Sequence, residues 1–212
     1  MRLVVDHARR EAIELFAREI GAAAISWSPG TTGMAGRPKP MPIVRLQSLL
    51  VPKSAVPVTI SYERERFAAD VATAGTDDPP PPLTRTQSQK FHADDAVAVP
   101  LIKLAYARSG DKGNTANVGV IARDRSFLSY LDSALSEERV AEYFAHLVKG
   151  KVTRFAVPGV NGFNFLMTEA LDGGGMASPR IDPLAKGMAQ MLLDLEVPVP
   201  AALARALTQS SG

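Results

Sequence analysis

The stretch VAVPLIKLAYARSGDKGNTANVGVIA, residues 97–122, decides how the chain is built. Val97 to Ala107 is apolar enough for a strand, and Ala116 to Ala122 alternates as a second strand does. Between them lies Arg108-Ser109-Gly110-Asp111-Lys112-Gly113-Asn114, a polar, glycine-bearing interruption short enough to pair the two strands as a hairpin.

Moving towards the C-terminus, Asp124 and Ser136 stand where helix N-caps are wanted. The first helix would carry Phe127, Leu128 and Leu131, and the second Val140, Tyr143, Phe144 and Leu147, ending at Gly150. Val152 to Val157 and Asn164 to Ala170 read as two more strands around the turn Pro158–Gly162. Asp182 followed by Pro183 predicts a capped helix running through Met188, Met191, Leu192 and Leu195. Four strands with helices between the pairs and after the last give an α+β layer sandwich, a mostly antiparallel sheet with helices on one face.

Moving towards the N-terminus, residues 68–96 include Thr76-Asp77-Asp78-Pro79-Pro80-Pro81-Pro82 and hold little apolar material. They predict a proline-rich linker, extended at the prolines and the first place a protease would cut. Residues 1–67 read as a small α/β fragment. Ala8, Ala12, Ile13, Phe16 and Ile20 predict a helix over 7–20 with Gly21 as its C-cap. Ala22 to Trp27 follows as a short strand, then a loop from Pro29 to Pro42, and β-like apolar spacing from Ile43 to Tyr62. So few elements cannot cover both faces of a sheet, so this fragment is expected to lean on another surface. Residues 201–212 read as a tail.

Composition narrows the function. Residues 1–96 carry 12 basic and 11 acidic side chains, and residues 97–212 the remaining 12 and 11, so neither half is built as an electrostatic nucleic-acid binder. Without cysteine there is no thiolate metal site, disulfide or cysteine nucleophile. His7, His92 and His146 lack the spacing of metal ligands, and no metal or cofactor is expected. No run approaches a membrane span and no apolar leader opens the chain, so a cytoplasmic protein is expected.

Two polar clusters could carry chemistry. In the first, Arg108, Ser109, Asp111, Lys112, Asn114 and Asn117 combine charge, donors and glycine, as a phosphate or carboxylate site does; a solvated hairpin loop is the alternative. It is not a Walker loop, because Lys112 precedes Gly113 and a strand. The second is Gly173-Gly174-Gly175 followed by Arg180, Asp182 and Lys186. Three glycines after a strand bring backbone against something or let it move, although helix capping alone explains Asp182. Arg108, Lys112, Asn117 and Arg180 are expected to converge on one anion. Asn161, Asn164, Glu169 and His146 read first as structural, and the loop Thr31 to Pro40 offers donors that fit either an anion contact or plain loop.

These motifs, with Tyr143-Phe144-Ala145-His146-Leu147, Asn164-Phe165, Ala170-Leu171-Asp172-Gly173-Gly174-Gly175 and Arg180-Ile181-Asp182, resemble the C-terminal domain of the acyclic terpene utilisation (AtuA) family over about residues 97–200. The resemblance implies a ferredoxin-like fold there. Thr31 to Ile60 is similar to the tail of that family's large N-terminal domain, which implies that residues 1–67 are a short remnant of it. The family is associated with bacterial breakdown of acyclic terpenes such as citronellol and geraniol by way of acyl-CoA esters. The implied role is a component of that catabolism whose two loops bind an anionic substrate, a CoA ester or a carboxylate. No catalytic residue is assigned. The alternative is a non-catalytic assembly or interaction module that docks onto a separate large AtuA domain; a homo-oligomer or such a domain is the expected protein partner.

Overall fold

The computed structural model describes residues 3–30, 32, 36–47, 49–70 and 95–209. Most of the expected linker, residues 71–94, lies outside them.

Helix α1 (Arg10–Ser26) is longer than its apolar stripe predicts. Gly21 sits inside it and the expected strand at 22–27 is its last turns, because the alanine run around Gly21 has the helix propensity to carry the helix past it. The β-like spacing from 43 produces no strand until β1 (Thr59–Tyr62), which pairs antiparallel with β2 (Glu65–Ala68). Both strands are exposed throughout.

The expected strand 97–107 is two strands. β3 (Ala96–Pro100) ends at a proline, a 3-10 turn covers Leu101–Lys103, and β4 (Ala105–Lys112) begins a different sheet. β4 then runs straight through the supposed loop to Lys112 and pairs with β5 (Thr115–Ala122), leaving only Gly113 and Asn114 as the turn. Gly113 has φ +67°, the left-handed first position of a two-residue hairpin turn.

Asp124 caps a 3-10 turn ahead of α2 (Leu128–Ala134), and Ser136 caps α3 (Glu137–Tyr143), which stops about two turns before Gly150. β6 (Val152–Val157) and β7 (Gly162–Met167) follow. The four-stranded sheet is ordered β4-β5-β7-β6, antiparallel throughout. α4 (Met188–Leu193) is shorter than expected at both ends. Its N-cap is Gly187, not Asp182, and after it the chain forms β8 (Glu196–Pro200), which pairs with β3. Residues 201–209 of the expected tail form α5 (Ala201–Gln209).

α4 packs on β4 and β5, α3 on β6, and α2 on β8. Ala116, Val118 and Val120 of β5, with Phe165 and Met167 of β7, are sealed beneath those helices. Arg154 of β6 ties the helices to the sheet: it donates to the carbonyls of Asp132 (3.0 Å) and Leu135 (2.9 Å) and pairs with the Asp132 carboxylate at 3.0 Å. The buried cluster runs from Val99 to Val199 and takes no member from the described residues before 71. In that first segment Leu46, Leu49 and Leu50 are exposed, Leu50 at 101%. This is an α+β domain with helices on one face of a four-stranded antiparallel sheet, preceded by a small α/β fragment.

Candidate functional site

Because side chains alternate along a strand, the second face of the sheet carries what the core does not. Tyr106, Arg108, Gly110 and Lys112 of β4 point away from the helices, as do Thr115, Asn117, Gly119 and Ile121 of β5. Register aligns them in rows. Arg108, Gly119, Asn164 and Phe155 stand side by side across the four strands, and Gly110, Asn117, Leu166 and Thr153 form the next row. Across the two rows the Asn117 side-chain amide donates to Asn164 Oδ1 at 3.2 Å. Tyr106, Ile121 and Val157 are exposed beyond the first row, with the Arg123 guanidinium 3.9 Å over the Tyr106 ring. One end of this open face therefore carries exposed Tyr106, Ile121 and Val157 with a guanidinium stacked on the tyrosine, and the middle mixes Arg108, Asn117 and Asn164 with Phe155 and Leu166.

A further cation, Lys186, reaches the face from outside the sheet. A Cβ on Gly110 would stand 3.4 Å from Lys186 Nζ and 3.9 Å from Asn117 Oδ1, so the ammonium lies over the bare β4 backbone beside the amide. The loop that carries it is firmly held. Asp182 accepts from the backbone N–H groups of Lys186 (2.8 Å) and Gly187 (2.7 Å). Ser109, on the core side of β4, donates to the Lys186 carbonyl at 3.3 Å and accepts from the N–H of Ala189 at 2.9 Å, serving the first turn of α4 from another strand.

Other expected site residues hold the fold. The Asn114 side-chain oxygen accepts from the N–H groups of Leu171 (3.2 Å) and Gly173 (2.9 Å), and its backbone carbonyl accepts from Ala170. Gly174, with φ +71°, lies so close that a Cβ there would be 2.1 Å from the Gly113 carbonyl oxygen. Gly173 and Gly175 are also left-handed. The two glycine-rich clusters do meet, then, but as a packed seam. Arg180, 14% exposed, donates to Asp172 (2.7 Å) and to the carbonyls of Leu147 (2.5 Å) and Ala170. Asp172 also pairs with Lys149, and the Arg180 and Lys149 bonds hold its carboxyl below the ordinary 3.8. Arg180 is thus engaged with the 147 and 170–172 segments rather than with Arg108 and Asn117. Lys112 bonds the neighbouring Asp111 carbonyl at 2.9 Å, and Asp111 is half-buried on the opposite side of β4.

Asn164 and Lys186 carry a weak sequence signal. Each is a polar residue that strand alternation or surface charge explains, and only the cross-strand register and the sheet edge bring them to Asn117. Among the described residues no group of acidic and histidine side chains is arranged to hold a metal ion. No described helix is long and apolar enough to cross a membrane.

The family model of the AtuA ferredoxin-like domain matches residues 99–198. No curated protein and no solved structure matches the chain.

Proposed function

We propose, from the premise that residues 99–198 of this chain are an AtuA ferredoxin-like domain, that the domain binds an anionic small molecule on its open sheet face. The observation that carries the reading is the pair of adjacent rows in which Arg108 and Asn117 flank the side-chain-free Gly110 and Gly119 beside Asn164. Glycine at these two positions keeps the face low, with the Lys186 ammonium covering Gly110 and Arg108 beside Gly119. The end formed by Tyr106, Ile121 and Val157 suits the rest of an amphiphilic ligand, such as the acyl part of a CoA ester or the hydrocarbon of a carboxylate. The role that follows is a component of acyl-CoA or acyclic terpenoid catabolism.

The test is a thermal-shift and calorimetric titration with coenzyme A, acetyl-CoA and octanoyl-CoA. Ligand at about 100 times its Kd raises stability by about 2.7 kcal/mol. Arg108→Ala and Asn117→Ala each weaken binding by about ten- to a hundredfold, the worth of one charge-assisted or buried hydrogen bond. No shift with any of the three, or equal affinity in Arg108→Ala, overturns the reading.

A second reading, an assembly module, starts from Met41, Leu46, Leu49 and Leu50, which are exposed in one short stretch. It requires the chain to self-associate, or to bind a large AtuA domain, through that stretch. Sedimentation that stays monomeric at all concentrations, together with no capture of such a domain, refutes it.

A further inference from the structure

Three structural devices converge on the short loop before α4. Ala185 is fully buried with φ +55°, a left-handed conformation that costs a residue with a Cβ about 1–2 kcal/mol and persists only where the surroundings impose it. Asp182 binds the N–H of Lys186 and Ser109 binds its carbonyl, so both backbone polar groups of this one residue are held by side chains. Gly110 leaves the space beneath the ammonium empty, and Gly110 is buried although it points to the open side of the sheet.

We propose that Lys186 is a ligand-binding cation of the open face, carried over the β4 edge and aimed by Asp182 and Ser109 as positioning residues. The proposal rests on the anion-site reading above and deepens it. The ammonium itself covers Gly110, 3.4 Å from its Cβ position, and Asn117 Oδ1, an acceptor, lies 3.9 Å from the same point, so an oxyanion on this face meets the lysine charge from its outer side and not over the glycine. Arg108 is two residues along the same face of the same strand. Ser109 and Asp182 face the loop backbone, so their part is to fix where the lysine stem starts.

The experiment titrates octanoyl-CoA and inorganic phosphate into the wild-type chain, Arg108→Ala, Lys186→Ala, Asp182→Ala and the double variant Lys186→Ala/Asp182→Ala. Lys186→Ala is expected to weaken binding by about tenfold or more, because one charge-assisted hydrogen bond is lost. Asp182→Ala is expected to weaken it in the wild-type background and to change nothing once Lys186 is gone, since the two act through one group. Asp182→Asn, which keeps one acceptor oxygen, serves if Asp182→Ala melts below the assay temperature and is expected to fall between the two. If Arg108→Ala weakens binding and Lys186→Ala does not, this proposal fails and the site reading stands. An Asp182 effect that persists without Lys186 removes the positioning role. Unchanged affinity in both Arg108→Ala and Lys186→Ala, or no binding of either probe, removes the site and this inference together.

Discussion

Replacing Arg180 with alanine is expected to destabilise the domain and to leave ligand affinity unchanged wherever the variant is folded. The guanidinium is 14% exposed and serves three acceptors: the Asp172 carboxylate and the carbonyls of Leu147 and Ala170. Removing one partner of a well-buried ion pair costs about 3–5 kcal/mol. Here Asp172 is 27% exposed and keeps Lys149, so water and the second cation soften the loss. The two carbonyls lose a charged donor, and about 2–3 kcal/mol is the expected net cost. For a domain of roughly 100 residues that lowers Tm by roughly 10–20 °C. Thermal unfolding followed by circular dichroism measures it directly. Arg180→Lys is expected to recover less than half of the loss, because an ammonium cannot reproduce a planar fork reaching three acceptors. A surface charge behaves otherwise, at less than about 0.5 kcal/mol. If Arg180→Ala melts within a few degrees of the wild type and binds ligand more weakly, the structural assignment of Arg180 is wrong.

Gly174→Ala forces a Cβ to within 2.1 Å of the Gly113 carbonyl at φ +71° and is expected to cost more than about 3 kcal/mol, whereas Gly175→Ala has open space and costs only the left-handed penalty of about 1–2 kcal/mol; equal urea midpoints for the two variants would contradict the packed seam. Asp172→Asn removes a carboxylate whose folded value lies below the ordinary 3.8, so its stabilisation is fully present above 3.8 and is lost as pH falls through the lower folded value. The stability gap between wild type and Asp172→Asn is therefore expected to be constant at neutral and mildly acidic pH and to close below 3.8, and a gap unchanged into strong acid would sink the assignment.

Where periodicity and capping agreed, the fold could be read from residues: β5 alternates cleanly, and Ser136 three residues before Arg139 N–H is the start of α3. Two kinds of feature could not. Val97 to Ala107 has no change of period at Pro100, so one apolar run concealed two strands in different sheets. Pro198 and Pro200 argue against a strand on local grounds, yet both lie in β8, a ribbon of only two strands where missing donors are tolerated. Asp182-Pro183 carries the signature of a helix start, but the carboxylate caps a turn at Lys186 and Gly187 and the helix opens later. The same limit applies to the site. Arg108, Lys112 and Asn117 were legible as donors, but their faces depended on β4 continuing to Lys112 in place of a loop. Arg180 and Lys186, six residues apart and alike in charge, differ because one finds internal acceptors and the other reaches a bare glycine.

The seam between Asn114 and Gly174 bears on the open face through register. In a strand with period two, a slip of one residue would turn Arg108 and Gly110 towards the helices and bring Ser109 and Asp111 out. The β4–β5 turn is only two residues long, so its geometry sets that register, and Asn114 within it is bonded to three backbone N–H groups of residues 170–173. Gly174 closes on Gly113 from the same side. At the middle of β4, Ser109 adds a second lock by binding the 186–189 backbone. Both locks act on the core side and at the strand end, so neither of them uses the side chains of Arg108 or Asn117. In the proposed binding role the part of the glycine-rich run is therefore indirect: it holds the hairpin in the register that presents Arg108 and Asn117 on one face.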